Sequence, residues 1–263
     1  MPKNLKFLAF DTSTDAMSIA VTDGERVWQH SEAGGAKASI TLIPAILALL
    51  ADSRLALADL DAIAFGRGPG SFTGLRTACA VAQGLALGTG HGAGLPVLPI
   101  DTLMTLAEEA RFQHAESAGG GALRIIALLD ARMDEMYVQR FDCSAAACVA
   151  ADDCVLVRPE HLAAYLQDET NAVLAGNVFE VYADKLGKGT EGALLGSTPR
   201  LHALPTATAM LRLAPALAAA GHCVNAALAL PLYVRDKVAL TTDERALVKQ
   251  QKDRAASDAL LPI

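Results

Sequence analysis

Two stretches of this chain follow the same short plan. Leu5–Phe10 is a compact apolar run that ends at Asp11, followed by the polar turn Thr12-Ser-Thr-Asp15 and the alternating run Met17–Val21. Leu123–Leu129 is again an apolar run ending in an aspartate, Asp130, followed by Ala131-Arg-Met-Asp134 and the alternating run Glu135–Phe141. Asp11 and Asp130, Asp15 and Asp134, Met17 and Met136, and Ile19 and Val138 all fall at one constant offset. Apolar runs ended by turn residues and followed by period-two alternation predict β-hairpins. Self-similarity within a chain constrains the architecture strongly, because each copy is one supersecondary unit. The echo suggests two related α/β halves, each starting with a strand, an aspartate and a hairpin. Unrelated hairpins with polar turns would look much the same, so both explanations stand at this point.

The rest of the pattern fills in each half. After the turn at Asp23-Gly24, Val27–Ser31 predicts a third strand and completes an antiparallel meander. A helix is expected over about 38–51, then Ala62–Phe65 as a strand, a helix over about 72–88, a break at Gly88–Gly94 and a strand at Val97–Ile100. Thr102–Arg111 follows as a helix capped by Asp101 or Thr102. Ser117–Gly121 is the expected domain boundary, giving lobes over 1–116 and 117–240 and a charged tail over 241–263. In the second half the pattern predicts helices over about 159–167, over Val178–Leu186 and over Ala207–Ala220, the last interrupted by Pro215. Ala172–Ala175 is expected as a strand, Gly187–Gly196 as a loop and Pro231–Arg235 as an extended piece. The tail from Thr241 is expected to be solvated or disordered.

Gly68-Pro-Gly-Ser-Phe-Thr-Gly-Leu-Arg76 links the strand at Ala62–Phe65 to the helix at 72–88. Strand, glycine-rich turn and helix N-terminus are the parts from which proteins build anion cradles. The nucleotide versions are incomplete here. The Walker pattern needs a Lys-Ser/Thr pair after its last glycine, where this chain has Leu75-Arg76. The dinucleotide fingerprint needs a glycine where Thr73 stands. Gly68, Gly70 and Gly74 are therefore expected to serve backbone geometry, and Ser71 to cap the following helix; it is not in a G-x-S-x-G nucleophile elbow.

Charge and composition remove whole classes of function. Net charge is −7 and there is no basic cluster, so the chain alone is expected to bind nucleic acid poorly. The six histidines are scattered, no metal site is expected and no cofactor is implied. The five cysteines (Cys79, Cys143, Cys148, Cys154 and Cys223) include no C-x-x-C pair, which argues against a disulfide framework or a zinc site. No signal peptide or membrane span is visible, and a cytoplasmic location is expected. Asp11 and Asp130 remain as a carboxylate pair of the kind that holds Mg²⁺ against phosphates, here a vestigial nucleotide site. The alternative, which we favour, is that aspartates end strands because their side chains bond nearby backbone N–H groups.

The two helices flanking the glycine loop are apolar on more than one side. Ile40, Ile43, Leu47 and Leu50 form one stripe of the first, and Leu42, Ile46 and Leu49 form another. In the second, Leu75, Cys79, Ala82 and Leu85 line one side, while Ala80, Gly84 and Gly88 make a groove of small residues on another. One apolar face can pack on a sheet. The other lies either under more of this chain or against a partner.

Leu8-Ala-Phe-Asp-Thr-Ser-Thr14, Gly68–Arg76, Asp130-Ala-Arg-Met133 and Pro231-Leu-Tyr-Val-Arg235 resemble, in this order, the motifs of the TsaB (YeaZ) family. That family supplies a bacterial subunit needed to make threonylcarbamoyladenosine on transfer RNA beside the anticodon. The resemblance implies an α/β fold of two ribonuclease-H-like lobes, of the actin/Hsp70-like ATPase type. It implies kinship with TsaD, the metal-binding catalytic subunit, and a chain that catalyses nothing itself. The implied partners are TsaD in a heterodimer, TsaE in the larger complex, tRNA only through that complex, and a second copy when alone. The implied contact uses the first two helices, which places Ile40, Ile43, Ile46, Leu47, Leu50, Arg76, Ala80, Gly84 and Gly88 at the interface. Ala38-Ser39 departs from the His-Ser pair that many relatives carry at the start of the first helix. The rival expectation is a Mg-ATP-dependent phosphotransferase of the same superfold, built on Asp11 and Asp130.

Overall fold

The computed structural model describes residues 4–89, 92, 94–118, 122–167, 169, 172–186 and 198–235. Strands β1 (Phe7–Asp11), β2 (Ala16–Thr22) and β3 (Val27–Ala33) form the antiparallel meander. Helix α1 (Ala38–Ser53) leads to β4 (Ala62–Gly68), which pairs in parallel with the other side of β1. Helix α2 (Phe72–Leu87) leads to β5 (Val97–Asp101), parallel to β4, and α3 (Thr102–Ala118) follows. The sheet order is β3-β2-β1-β4-β5.

The second half retraces this path. Strands β6 (Leu123–Asp130), β7 (Met136–Cys143) and β8 (Cys148–Ala150) form the meander, and β9 (Val155–Val157) also pairs with β7. After α4 (Leu162–Tyr165), β10 (Ala172–Gly176) pairs in parallel with β6. Helices α5 (Val178–Val181) and α6 (Ala183–Leu186) precede β11 (Arg200–His202), parallel to β10, and α7 (Ala207–Ala219) follows. The order β11-β10-β6-β7-β8 is the first sheet read in reverse. The internal echo is therefore a duplicated ribonuclease-H-like lobe. Its register is not identical: Asp11 faces Ser18, whereas Asp130 faces Met136, so the second hairpin closes one residue tighter. Its turn places Arg132, Met133 and Asp134 in the left-handed region (φ 59°, 57° and 59°).

The central strands are apolar on both faces because both faces are covered. On one face of the first sheet, Leu8, Phe10, Ile19, Ile63 and Phe65 meet Leu42, Ile46, Leu49 and Leu50 of α1 and Ala78, Cys79, Ala82 and Ala86 of α2. On the other, Ala9, Ala20, Ala62 and Ala64 leave room for α7, which inserts Met210, Leu211, Leu213 and Ala214. Helix α3 packs Leu103, Leu106, Ala107 and Ala110 on Ile125, Ala127, Leu129 and Phe141 of the second sheet. The lobes thus exchange their last helices: α3 leaves the first sheet to cover the second, and α7 leaves the second to cover the first. The two helices are tied by Arg212, which donates to Glu108 and Glu109 at 2.8 Å each, and by Thr206 to Glu109 at 2.7 Å. A division at 116/117 separates the sheets but cuts through both cores.

Several sequence expectations change. Helix α7 runs through Pro215 without a break, with the proline on the exposed side of the helix. The helix expected over 159–167 is a 3₁₀ turn at Pro159–His161 followed by the single turn α4, and Val178–Leu186 divides at Tyr182. Cys143 and Cys148, cross-strand partners at the ends of the β7–β8 turn, form a disulfide, against the expectation from cysteine spacing. Irregular spacing speaks against a framework of bridges, whereas this bond closes one tight turn. Ser117 and Ala118 lie within α3, while the rest of the expected break, Gly119–Gly121, falls outside the described residues, as do Gly187–Gly196 and the tail from Thr241. Among the described residues no helix is long and apolar enough to cross a membrane.

Candidate functional site

The four motif stretches, far apart in sequence, converge on one cleft of about 270 Å³ between the lobes. Ser13 and Thr14 contribute from the first hairpin, Gly70, Ser71 and Phe72 from the glycine loop, Asp130 to Met133 from the second hairpin, and Leu232 to Arg235 from the C-terminal segment. The glycines are there for contact. A Cβ on Gly74 would stand 1.8 Å from the Thr12 carbonyl oxygen, and one on Gly70 would stand 2.6 Å from that of Ser13. The loop can therefore lie directly on the β1–β2 turn. Ser71 N–H donates to the Ser13 carbonyl at 2.7 Å, and the Thr12 hydroxyl donates to the Gly74 carbonyl at 2.8 Å. The Ser71 side chain accepts from Gly74 N–H and caps α2. An N–H that a phosphate cradle would use is thus spent inside the fold.

The two aspartates have different fates. Asp11 is 1% exposed and does not line the cleft. Its Oδ1 accepts from the Ser13 amide at 2.8 Å and the Ser13 hydroxyl at 2.6 Å. Its Oδ2 has no hydrogen-bond partner among the described residues. That oxygen occupies space that exists only because residue 66 is glycine, since a Cβ on Gly66 would stand 1.8 Å from it. Burial pushes the Asp11 carboxyl up to about 6, against the smaller opposing effect of the Ser13 hydrogen bonds. Asp130 does reach the cleft, but its Oδ1 accepts from the Arg132 amide at 2.8 Å and the Tyr182 hydroxyl at 2.7 Å. Burial, together with that carboxylate, holds the Tyr182 hydroxyl protonated well above the usual phenol range. The cations of the cleft are also paired internally: Arg132 with Asp15 at 2.5 Å, across the lobes, and Arg235 with Glu135 at 2.5 Å. The cleft is lined with polar groups that already serve one another.

Sequence reasoning did not find the partners of the C-terminal motif. Arg76, expected at an interface, is exposed, yet its guanidinium lies 3.7 Å over the Phe72 ring and its Nε donates to the Tyr233 hydroxyl at 3.1 Å. Phe72 and Tyr233 are themselves in contact, with ring centroids 5.2 Å apart. The only signal in the sequence was the joint presence of Phe72, Arg76 and Tyr233 in two of the quoted motifs.

A second feature lies on the outer side of the first lobe. Helix α1 exposes Ile40 at 75%, Ile43 at 44% and Leu47 at 50%. Ile46 and Leu50, expected beside them, are instead in the core with Leu42 and Leu49. The helical wheel explains this correction: at 100° per residue Ile46 falls within the arc facing the sheet, and Leu50 stands at the border between the two stripes. On α2, Arg76, Ala80, Gly84, Leu87 and Gly88 are exposed. Among the described residues a Cβ on Gly84 would meet nothing within 4 Å, so its lack of a side chain serves no packing against them.

The model of the family described as "TsaD: tRNA N6-adenosine threonylcarbamoyltransferase" matches residues 30–242. A protein of Escherichia coli is 34% identical over 237 residues, covering 89% of this chain and 96% of its own length. One of Haemophilus influenzae is 35% identical over 247 residues, covering 90% and 96%. Both are named tRNA threonylcarbamoyladenosine biosynthesis protein TsaB. The chain belongs to the TsaB (YeaZ) family. The solved structure of YeaZ from Pseudomonas aeruginosa superposes with a TM-score of 0.72 at 34% identity, covering 88% of this chain and 100% of that one. The TsaD-family match runs through both lobes, in keeping with a shared two-lobed, actin/Hsp70-like ATPase fold. Within this TsaB-family chain the four family-like motifs are the walls of the cleft, while the apolar outer face belongs to α1 and α2.

Proposed function

We propose that this chain acts in the formation of threonylcarbamoyladenosine on tRNA as a non-catalytic subunit that binds and stabilises a TsaD-type paralogue. The observation that carries the proposal is the outer face of α1 and α2. Exposed Ile40, Ile43 and Leu47 lie on a helix whose other apolar face is already in the core, beside a stripe of Ala80, Gly84 and Gly88 in which Gly84 has no packing duty toward the described residues. Large apolar side chains next to a groove of small ones suit a helix-on-helix contact with a partner. Arg76 stands at the end of that stripe, where its stack on Phe72 fixes it in place. The pathway named for the relatives and the match to the TsaD family support a TsaD-type partner, and the TsaE-type ATPase and the tRNA would join through the assembly. The cleft supports the non-catalytic part, because Asp11 is buried away from it and Asp130 is held by Tyr182 and Arg132.

Co-purification with the TsaD-type subunit of the same organism tests the proposal. Ile43→Asp and Gly84→Arg are expected to abolish capture without destabilising the isolated chain in thermal unfolding. Undiminished capture by both variants would remove this face from consideration.

A further inference from the structure

One wall of the cleft is a segment of the chain that ties the two lobes together. After α7 the backbone returns to the first lobe, where Ala226 and Ala229 join the core beneath α2. The Ala229 carbonyl accepts from Gln83 at 3.0 Å, which fixes the segment along the helix. The next residues run across the cleft. Leu232 N–H donates to the Arg67 carbonyl of β4 at 2.7 Å. The Leu232 carbonyl passes so close to Gly68 that a Cβ there would stand 2.4 Å from its oxygen. Tyr233 packs on Phe72 and accepts from Arg76. Val234 packs against the core of the second lobe. Arg235, with 15% of its side chain exposed, is paired with Glu135 at 2.5 Å and donates to the Arg132 carbonyl at 3.3 Å.

Four residues therefore hold the first lobe with Leu232 and Tyr233 and the second with Val234 and Arg235. The second anchor is the turn whose Arg132, Met133 and Asp134 are left-handed, a conformation that persists only where its surroundings over-determine it. We infer that Pro231–Arg235 is an intramolecular clasp: it bridges the two lobes along one wall of the interlobe cleft and holds them at one degree of closure, the task that a bound ligand performs in hinged two-domain proteins. The loop and the turn that it joins are thereby made rigid together. Gly68 is the residue that admits the clasp, which assigns it a role apart from Gly70 and Gly74, whose contacts are with the β1–β2 turn.

The test is amide hydrogen exchange on the full chain without any partner, so its outcome is separate from that of the binding proposal. In Arg235→Glu, exchange at residues 131–135 and at residues 70–75 is expected to accelerate together, by at least about tenfold. Glu135→Arg placed in the same chain reverses the ion pair and is expected to return both loops to within about twofold of the wild type. Tyr233→Ala, at a residue 43% exposed and so tolerant of truncation, is expected to accelerate the same two loops. Acceleration confined to residues 231–235 in both single variants, or a double variant no slower than Arg235→Glu, would overturn the clasp.

Discussion

Asp11 shows how far a residue can be from the role its position suggests. It ends β1 as Asp130 ends β6, and Asp130 reaches the cleft, yet Asp11 is buried and bonded to Ser13. With its carboxyl raised from 3.8 to about 6, the folded state holds a proton that the unfolded state releases. Between about pH 4 and pH 6 the native state therefore binds more protons, and this group's contribution to stability falls as pH rises through that window. A shift of this size corresponds to a cost on the order of 3 kcal/mol above pH 6. Asp11→Asn keeps an acceptor for Ser13 and cannot ionise. Relative to the wild type it is expected to gain stability from pH 4 to pH 6 and to hold the gain above, which urea unfolding across pH would read. Gly74 makes the opposite case, in which the sequence was informative. Its expected backbone role is met by a contact that leaves no room for Cβ, so Gly74→Ala is expected to destabilise the chain by about 2 kcal/mol or more in urea unfolding. The pairs Arg132–Asp15 and Arg235–Glu135 were not legible, because nothing in local spacing says which distant carboxylate a cation will meet.

Helices α1 and α2 were legible to within a residue or two, since long amphipathic periodicity carries its own signal. The division of their faces was legible only in part. Two stripes on α1 were evident, but which one the sheet would take depends on packing, and Ile46 and Leu50 went to the core. That difference is measurable. Ile46→Asp buries a charge in the first lobe and is expected to unfold the chain or cost it about 4 kcal/mol or more. Ile43→Asp, three residues earlier on the exposed side, is expected to shift stability by about 0.5 kcal/mol or less in thermal unfolding. The single-turn helices α4, α5 and α6 were over-extended from sequence because short apolar stretches hold too few turns to show a period. The Cys143–Cys148 bond follows from the register of β7 with β8, and a one-residue slip would have put the two side chains on opposite faces.

Across the two lobes together, the duplication was the most informative feature of the sequence and the exchange of helices the least legible. An apolar helix stripe states that it will be covered and not by which sheet, so α3 and α7 could only be assigned once both sheets were in place. Their junction is charged. Arg212 meets Glu108, which is 2% exposed and also bonded by Arg111. Arg212→Ala leaves that carboxylate with one cation and is expected to cost about 1–3 kcal/mol, read by urea unfolding. The same architecture separates two surfaces: a cleft satisfied by its own side chains, and an outer face that the described residues leave uncovered. The proposed function stands on whether this outer face binds a TsaD-type subunit. Titration calorimetry with the purified subunit reads that binding itself, comparing the wild type with Gly84→Arg, at a position where a Cβ meets none of the described residues within 4 Å. A complex weakened by at least about 100-fold, with the unfolding temperature unchanged or raised by the better helix former, is the expected outcome. Equal affinity in the two proteins would refute it.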